Sequence, residues 1–163
     1  MGIRTTQIIL IAGALILIIG LALAPRLPAD QRESLAKAGP VNPRLEEAVN
    51  LVRNGENPMK GIMMLREMLD EDSTNVDVHW HLAQFSLTSR QIENAAFRFE
   101  KVLQFDDNQK YPEAYFWLAQ TKVALEQEKE AVPLLEKYLT LETDTIVLTG
   151  VERMLNQLKE DLE

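Results

Sequence analysis

Two five-residue blocks, Trp80-His81-Leu82-Ala83-Gln84 and Phe116-Trp117-Leu118-Ala119-Gln120, stand 36 residues apart and constrain this chain more than any other feature. A second set follows the same rhythm: Leu65-Arg66-Glu67-Met68-Leu69, Phe99-Glu100-Lys101-Val102-Leu103 and Leu135-Glu136-Lys137-Tyr138-Leu139, at offsets of 34 and 36. A small residue precedes each member of that set, at Gly61, Ala95 and Ala131. The two extra residues fall at Lys110 and Tyr111, just ahead of Pro112. A unit recurring at this period buries its apolar face only against its neighbours, so the pattern calls for a stacked array of similar units.

Each unit reads as two helices. Ile92, Ala95, Ala96, Phe99, Val102 and Leu103 follow the 3, 4, 7 spacing of one helical face, as do Ala131, Leu134, Leu135, Tyr138 and Leu139. Asn42-Pro43 supplies an N-cap followed by proline at the first helical position, and Gly55 supplies a stop. Pro112 is expected to open a helix and Pro133 to fall near the start of one, where a missing N–H costs little. The stretch Val76 to Leu82 alternates as a strand does, but its equivalent, Glu113 to Leu118, does not, so both are assigned to helices. Asp144 is placed to cap a last helix with Ile146, Val147, Val151, Met154, Leu155 and Leu158 on one side, which shields the end of the array.

A Leu-Ala pair in the first helix (Leu82-Ala83, Leu118-Ala119), then Ala95 with Phe99 and Ala131 with Leu135 in the second, resembles the tetratricopeptide repeat. The units close on Val102-Leu103 and Tyr138-Leu139. The resemblance covers about 100 residues, as three repeats at about 42–75, 76–109 and 112–143 within residues 44–143, with residues 144–163 as a capping helix. The register of the first repeat is open by one residue. Departures are Arg90 and Glu126 where the family often has Gly, Asp107 and Thr143 where it usually has Pro, and Ser86 and Lys122 where it has a large aromatic.

The resemblance implies an all-α superhelix whose concave face, lined by the first helix of each pair, binds protein or peptide. Its groove-facing positions map onto Asp77, Trp80, Gln84, Leu87 and Thr88 in the middle repeat, and onto Glu113, Phe116, Gln120, Val123 and Ala124 in the third. Trp80 and Phe116 would lie side by side as apolar contact surface, and Gln84 and Gln120 would pair with the amides of an extended peptide. Packing of both aromatics between neighbouring helices is the alternative. Asp77 and Glu113 would favour a basic or neutral ligand, and residues 45–163 show no dense basic cluster to clamp a carboxylate.

The N-terminal part is a different kind of segment. Residues 1–44 carry five Lys/Arg and two Asp/Glu, whereas residues 45–163 carry twelve and twenty-three. Between Arg4 and Arg26 no residue is charged, and as a helix that stretch is long enough for a hydrocarbon core of roughly 30 Å. A cleaved signal peptide is the competing reading, with Ala22-Leu23-Ala24 as the cleavage site. The length of the run and Pro25 directly after it oppose cleavage. The expected layout is a tail (1–7), an anchor (8–24) and a Pro-rich linker (25–43), in an inner, or plasma, membrane of bacterial type. A signal-anchor places the repeat domain on the extracytoplasmic side, although a strict Lys/Arg count favours the other. Gly13, Gly20 and Ala24 share small-residue spacing that also suits helix dimerisation.

Several functions fall away. The chain has no Cys, which removes disulfides, thiolate metal sites and a thiol nucleophile. Its net charge of −8 argues against nucleic-acid binding. His79 and His81, two apart, point in different directions on a helix. Asp70, Asp72 and Thr74 begin like a calcium loop but lack its Gly and closing Glu, and so read as solvation of a helix end. Met59, Met63, Met64 and Met68 read as core filler. No catalytic constellation, metal site or cofactor site is expected, and the chain is not expected to be an enzyme. The expected function is a scaffold or chaperone partner that captures a protein near a membrane complex. Alternatives are a cytochrome c maturation factor presenting apocytochrome, a structural subunit of a membrane complex, and, if the orientation is inverted, an import receptor.

Overall fold

The computed structural model describes residues 42–107 and 109–162, so the expected anchor at 8–24 and most of the linker lie outside the described residues. Among the described residues there are seven helices and no strand: α1 (Pro43–Arg53), α2 (Pro58–Glu71), α3 (Val76–Thr88), α4 (Ile92–Phe105), α5 (Glu113–Ala124), α6 (Glu128–Leu139) and α7 (Thr145–Asp161). None of them is long and apolar enough to cross a membrane.

Local chemistry accounts for most of the helix ends. Asn42 accepts hydrogen bonds from the amides of Arg44 and Leu45, Asn57 from Lys60, Asn75 from Val78, and Asp144 from Ile146 and Val147. Each satisfies backbone donors that the first helical turn leaves unpaired. Pro43 and Pro58 occupy first helical positions, where no N–H is needed. α3 and α5 end alike. The Gln91 amide donates to Ser86 O at 2.8 Å and that of Arg90 to Leu87 O at 3.0 Å; Gln127 donates to Lys122 O at 2.8 Å and Glu126 to Val123 O at 3.0 Å. This double closure requires a left-handed residue, and Arg90 and Glu126 adopt it at φ 57° and 58°. Gly55 does the same after α1, at φ 72°.

Pro133 corrects an expectation. It is the sixth residue of α6 rather than one near the start, because the helix opens back at Glu128. Its ring therefore removes an N–H from the helix interior.

The repeat is visible in burial. Gly61, Ala95 and Ala131 are buried, as are Leu65, Phe99 and Leu135, and then Met68, Val102 and Tyr138. Ala48, Ala83 and Ala119 are buried at corresponding places in α1, α3 and α5, and the turn of the first pair is one residue longer than that of the next. Each fully buried Leu or Phe contributes about 1.5–3 kcal/mol. Three clusters result, around Leu65 in α1–α3, around Phe99 in α3–α5 and around Leu135 in α5–α7. α3 and α5 carry buried residues around most of their circumference because helices pack on both sides of them.

α2 and α3 touch much less than α4 and α5 do, so the seam between the first two pairs is the loosest between consecutive pairs. At the C-terminal end, α7 covers the last pair with Val151, Leu155 and Leu158. Ile146 and Val147, expected on the same apolar side, remain exposed. The methionines divide: Met68 is buried and Met64 half-buried, but Met59 and Met63 lie at the surface and are not core filler.

Candidate functional site

The predicted groove residues are distributed over three separate places. Asp77 and Trp80, at the start of α3, are occupied by the chain itself. The Asp106 carboxylate accepts the amides of Lys110 at 3.0 Å and Tyr111 at 2.7 Å, and folds the loop back. Lys110 Nζ and Tyr111 OH then both donate to Asp77 Oδ1, at 2.6 and 2.7 Å. Burial pushes the Asp77 carboxyl up, but the bonds from Lys110 and Tyr111 outweigh it and hold it below the usual carboxylate value. Tyr111 also stacks on Trp80 with ring centroids 4.6 Å apart, while Phe99 meets the indole edge-on at 5.7 Å. Trp80 is 8 % exposed. It is therefore a core residue, as the interhelical alternative has it, with Tyr111 and Phe99 as its ring partners.

Phe116 and Gln120 sit in a hollow of ≈ 280 Å³ roofed by α7. Gln120 Nε2 donates to Met154 Sδ at 3.2 Å, and Phe116 packs on Tyr138 and Trp117 with centroids 5.6 and 5.4 Å apart. The capping helix thus takes the place where a peptide was expected over the third repeat. Val123 packs against the same core, and Glu113 is exposed at the start of α5. Ala124 ends α5 at the surface.

Gln84, Leu87 and Thr88 lie elsewhere, on a cleft of ≈ 1210 Å³ formed where the loose seam separates the first pair from the second. The end of α1, the start of α2, the second half of α3 and the first part of α4 contribute to it. Thr88 Oγ1 is turned inward, donating to Gln84 O at 3.0 Å. The apolar lining includes Met59, Ile62, Leu87, Phe97 and Trp117. Met59 is 69 % exposed and Phe97 48 %. Neutral polar groups are interleaved with them, among them Gln84, Gln91 and Asn94.

The charge of the cleft was not legible beforehand. Arg53, Arg66 and Arg98 line it, and no Asp or Glu does among the described residues. Arg98 lies half-buried, its Nη1 3.3 Å from His79 Nδ1. His79 Nε2 stands 2.9 Å from Ser73 O. A carbonyl only accepts, so Nε2 carries the proton and Nδ1 accepts from the guanidinium. Burial, and secondly the charge of Arg66, lower the Arg98 pKa from its ordinary value. The three arginines stand on three helices, 13 and 32 residues apart in the chain, so no run of basic residues announces them. The available signal is Phe97-Arg98-Phe99, a cation on a face whose equivalents are Met64 and Leu134.

The remaining candidates resolve into structural roles. Asp72 accepts from Thr74 N at 3.0 Å and Oγ1 at 2.7 Å, closing the end of α2. His81 packs beside Phe85 with ring centroids 6.4 Å apart, and its buried Nδ1 has no partner among the described residues. Lys122, at a position where an aromatic was expected, bridges Glu100 and Glu130 at 2.9 Å each and ties α4, α5 and α6 together. A scan against protein-family models finds no match for this chain, and no curated protein matches it.

Proposed function

We propose that residues 42–162 form a tetratricopeptide-type adaptor that binds a segment of another protein, and that the apolar run at 8–24 holds it at a membrane, with the domain on the extracytoplasmic side. The single observation that carries this reading is the seam cleft: ≈ 1210 Å³, lined by exposed apolar side chains interleaved with neutral amides and hydroxyls. Amide side chains there pair with a guest backbone, and Met59, Phe97 and Leu87 supply contact area. A membrane tether raises the local concentration of such a site near its partner, so a weak contact suffices.

The test is the double variant Met59→Asp/Phe97→Asp, both at exposed positions, in the full chain. Partner capture is expected to be lost while the helical circular-dichroism signal stays unchanged; undiminished capture rejects the reading. Protease shaving of spheroplasts tests the orientation, since only an extracytoplasmic domain is degraded.

A further inference from the structure

We propose that the seam cleft takes an acidic segment of a partner polypeptide, one in which carboxylates alternate with apolar side chains. This rests on the adaptor reading above and adds the chemistry of the ligand.

The argument is charge complementarity. Residues 45–163 hold almost twice as many acidic as basic side chains, yet the cleft collects Arg53, Arg66 and Arg98 and excludes every carboxylate among the described residues. Elsewhere five cations are paired, Arg44 with Glu67 and Glu71, Lys60 with Glu47, Lys110 with Asp77, Lys122 with Glu100 and Glu130, and Lys159 with Glu136, while the remaining ones are scattered singly over the surface and do not share a cleft. The three cleft arginines make no such pair among the described residues, and the contacts of Arg98 are to neutral rings, the His79 imidazole at 3.3 Å and the face of Phe97 at 5.3 Å. Like charges gathered in one cleft repel, and a carboxylate bound among them relieves that repulsion with charge-assisted bonds. Exposed Met59 and Phe97 beside the charges fix the remaining requirement, apolar side chains between the carboxylates.

Other occupants fit less well. The chain's own residues 1–41 carry Arg4, Arg26, Arg32 and Lys37 against Asp30 and Glu33, the same sign as the cleft. Anionic lipid surfaces and nucleic acids present extended negative charge, which the acidic remainder of residues 45–163 repels. A short segment places its few carboxylates within the cleft alone.

The experiment uses the full chain in detergent micelles and three short fluorescein-labelled peptides. The peptides share their Leu and Phe positions and carry Glu, Gln or Lys between them. Fluorescence anisotropy is expected to show the Glu peptide binding about tenfold tighter than the Gln peptide, with the Lys peptide weakest. Raising salt from about 0.05 to about 0.3 M should weaken the Glu peptide and leave the Gln peptide unmoved. Arg53→Gln/Arg66→Gln, both at exposed positions, should cost the Glu peptide about tenfold and the Gln peptide nothing. Arg98→Gln alone should do the same, and the Arg53/Arg66 pair decides the matter if loss of the His79 contact unfolds the chain. Equal affinity for Glu and Gln peptides overturns the acidic assignment and leaves the adaptor reading standing; failure of all three peptides overturns both. A dimer seen by sedimentation that Arg53→Gln/Arg66→Gln dissolves makes the occupant a second copy, and overturns the proposal.

Discussion

Arg90 and Glu126 hold left-handed backbone at φ 57° and 58°, where a Cβ crowds the following carbonyl oxygen, whereas Gly55 holds the equivalent turn of the first pair without that cost. Both close their helix through the same pair of amide bonds, so the strain is imposed by the turn and not by the side chain. Arg90→Gly and Glu126→Gly are each expected to stabilise the domain by about 0.5–1 kcal/mol, the relief of strain exceeding the added freedom of the unfolded chain. Urea denaturation measures it, and a loss of stability in both variants contradicts the account. The histidines supply a pH dependence. Burial lowers the pKa of both His79 and His81 below the ordinary 6.5. The unfolded chain therefore takes up protons first as pH falls, so the stability of the neutral, buried rings is complete above 6.5 and lost toward the folded values. Carboxylates that the fold holds low, such as Asp77, titrate only below the ordinary 3.8, outside that window. The urea midpoint should fall between about pH 7 and about pH 5, and His79→Gln/His81→Gln should flatten the curve. A flat wild-type curve refutes it.

At the scale of elements, α2 approaches α1 closely at Gly61. A Cβ there would stand 2.5 Å from Ala48 O and 2.6 Å from Val52 Cγ2, the first a backbone atom that cannot swing aside. Gly61→Ala improves helix propensity by about 1 kcal/mol yet is expected to destabilise by about 1–3 kcal/mol, since α1 and α2 must part. Thermal unfolding checks the sign. The equivalent Ala95 and Ala131 are accommodated in their own pairs, so Ala95→Gly should be the costly direction there. Most of the helix pattern was readable in the chain. Asn42-Pro43 and Asp144 marked their caps, and the spacing around Phe99 and Leu135 marked the buried faces. Pro133 misled because an unbranched acidic turn, Glu128 to Glu130, starts α6 earlier than its apolar residues do. Trp80 misled for a different reason. What covers it is Tyr111, brought back 31 residues later by a loop folded on Asp106, and nothing in helical spacing reports such a closure.

At the scale of the molecule, the second and third pairs and α7 share continuous packing, while the first pair meets them across a loose seam. In a stacked array stability is a sum of unit and interface terms, so a weak interface permits its unit to open alone. Amide hydrogen exchange should therefore run faster in α1 and α2 than in α3 to α6, with α4 the slowest. Uniform protection across the six helices contradicts this. The candidate site was the least legible part, since arginines on three helices become neighbours only after the helices have stacked around the seam.

The loop that returns Lys110 and Tyr111 to Asp77 is also a mechanical fastener. It links the α4–α5 connection to the beginning of α3 through part-buried bonds and a stacked ring, whereas the corresponding tie of the first pair, Arg44 at the start of α1 to Glu71 at the end of α2 at 2.6 and 2.8 Å, is solvent-exposed and so worth little. Under tension applied between Asn42 and Leu162 in an optical trap, the array should yield in stages, the leading pair peeling away at low force and the fastened remainder at a higher one. Cutting the fastener with Asp77→Ala should merge the two stages.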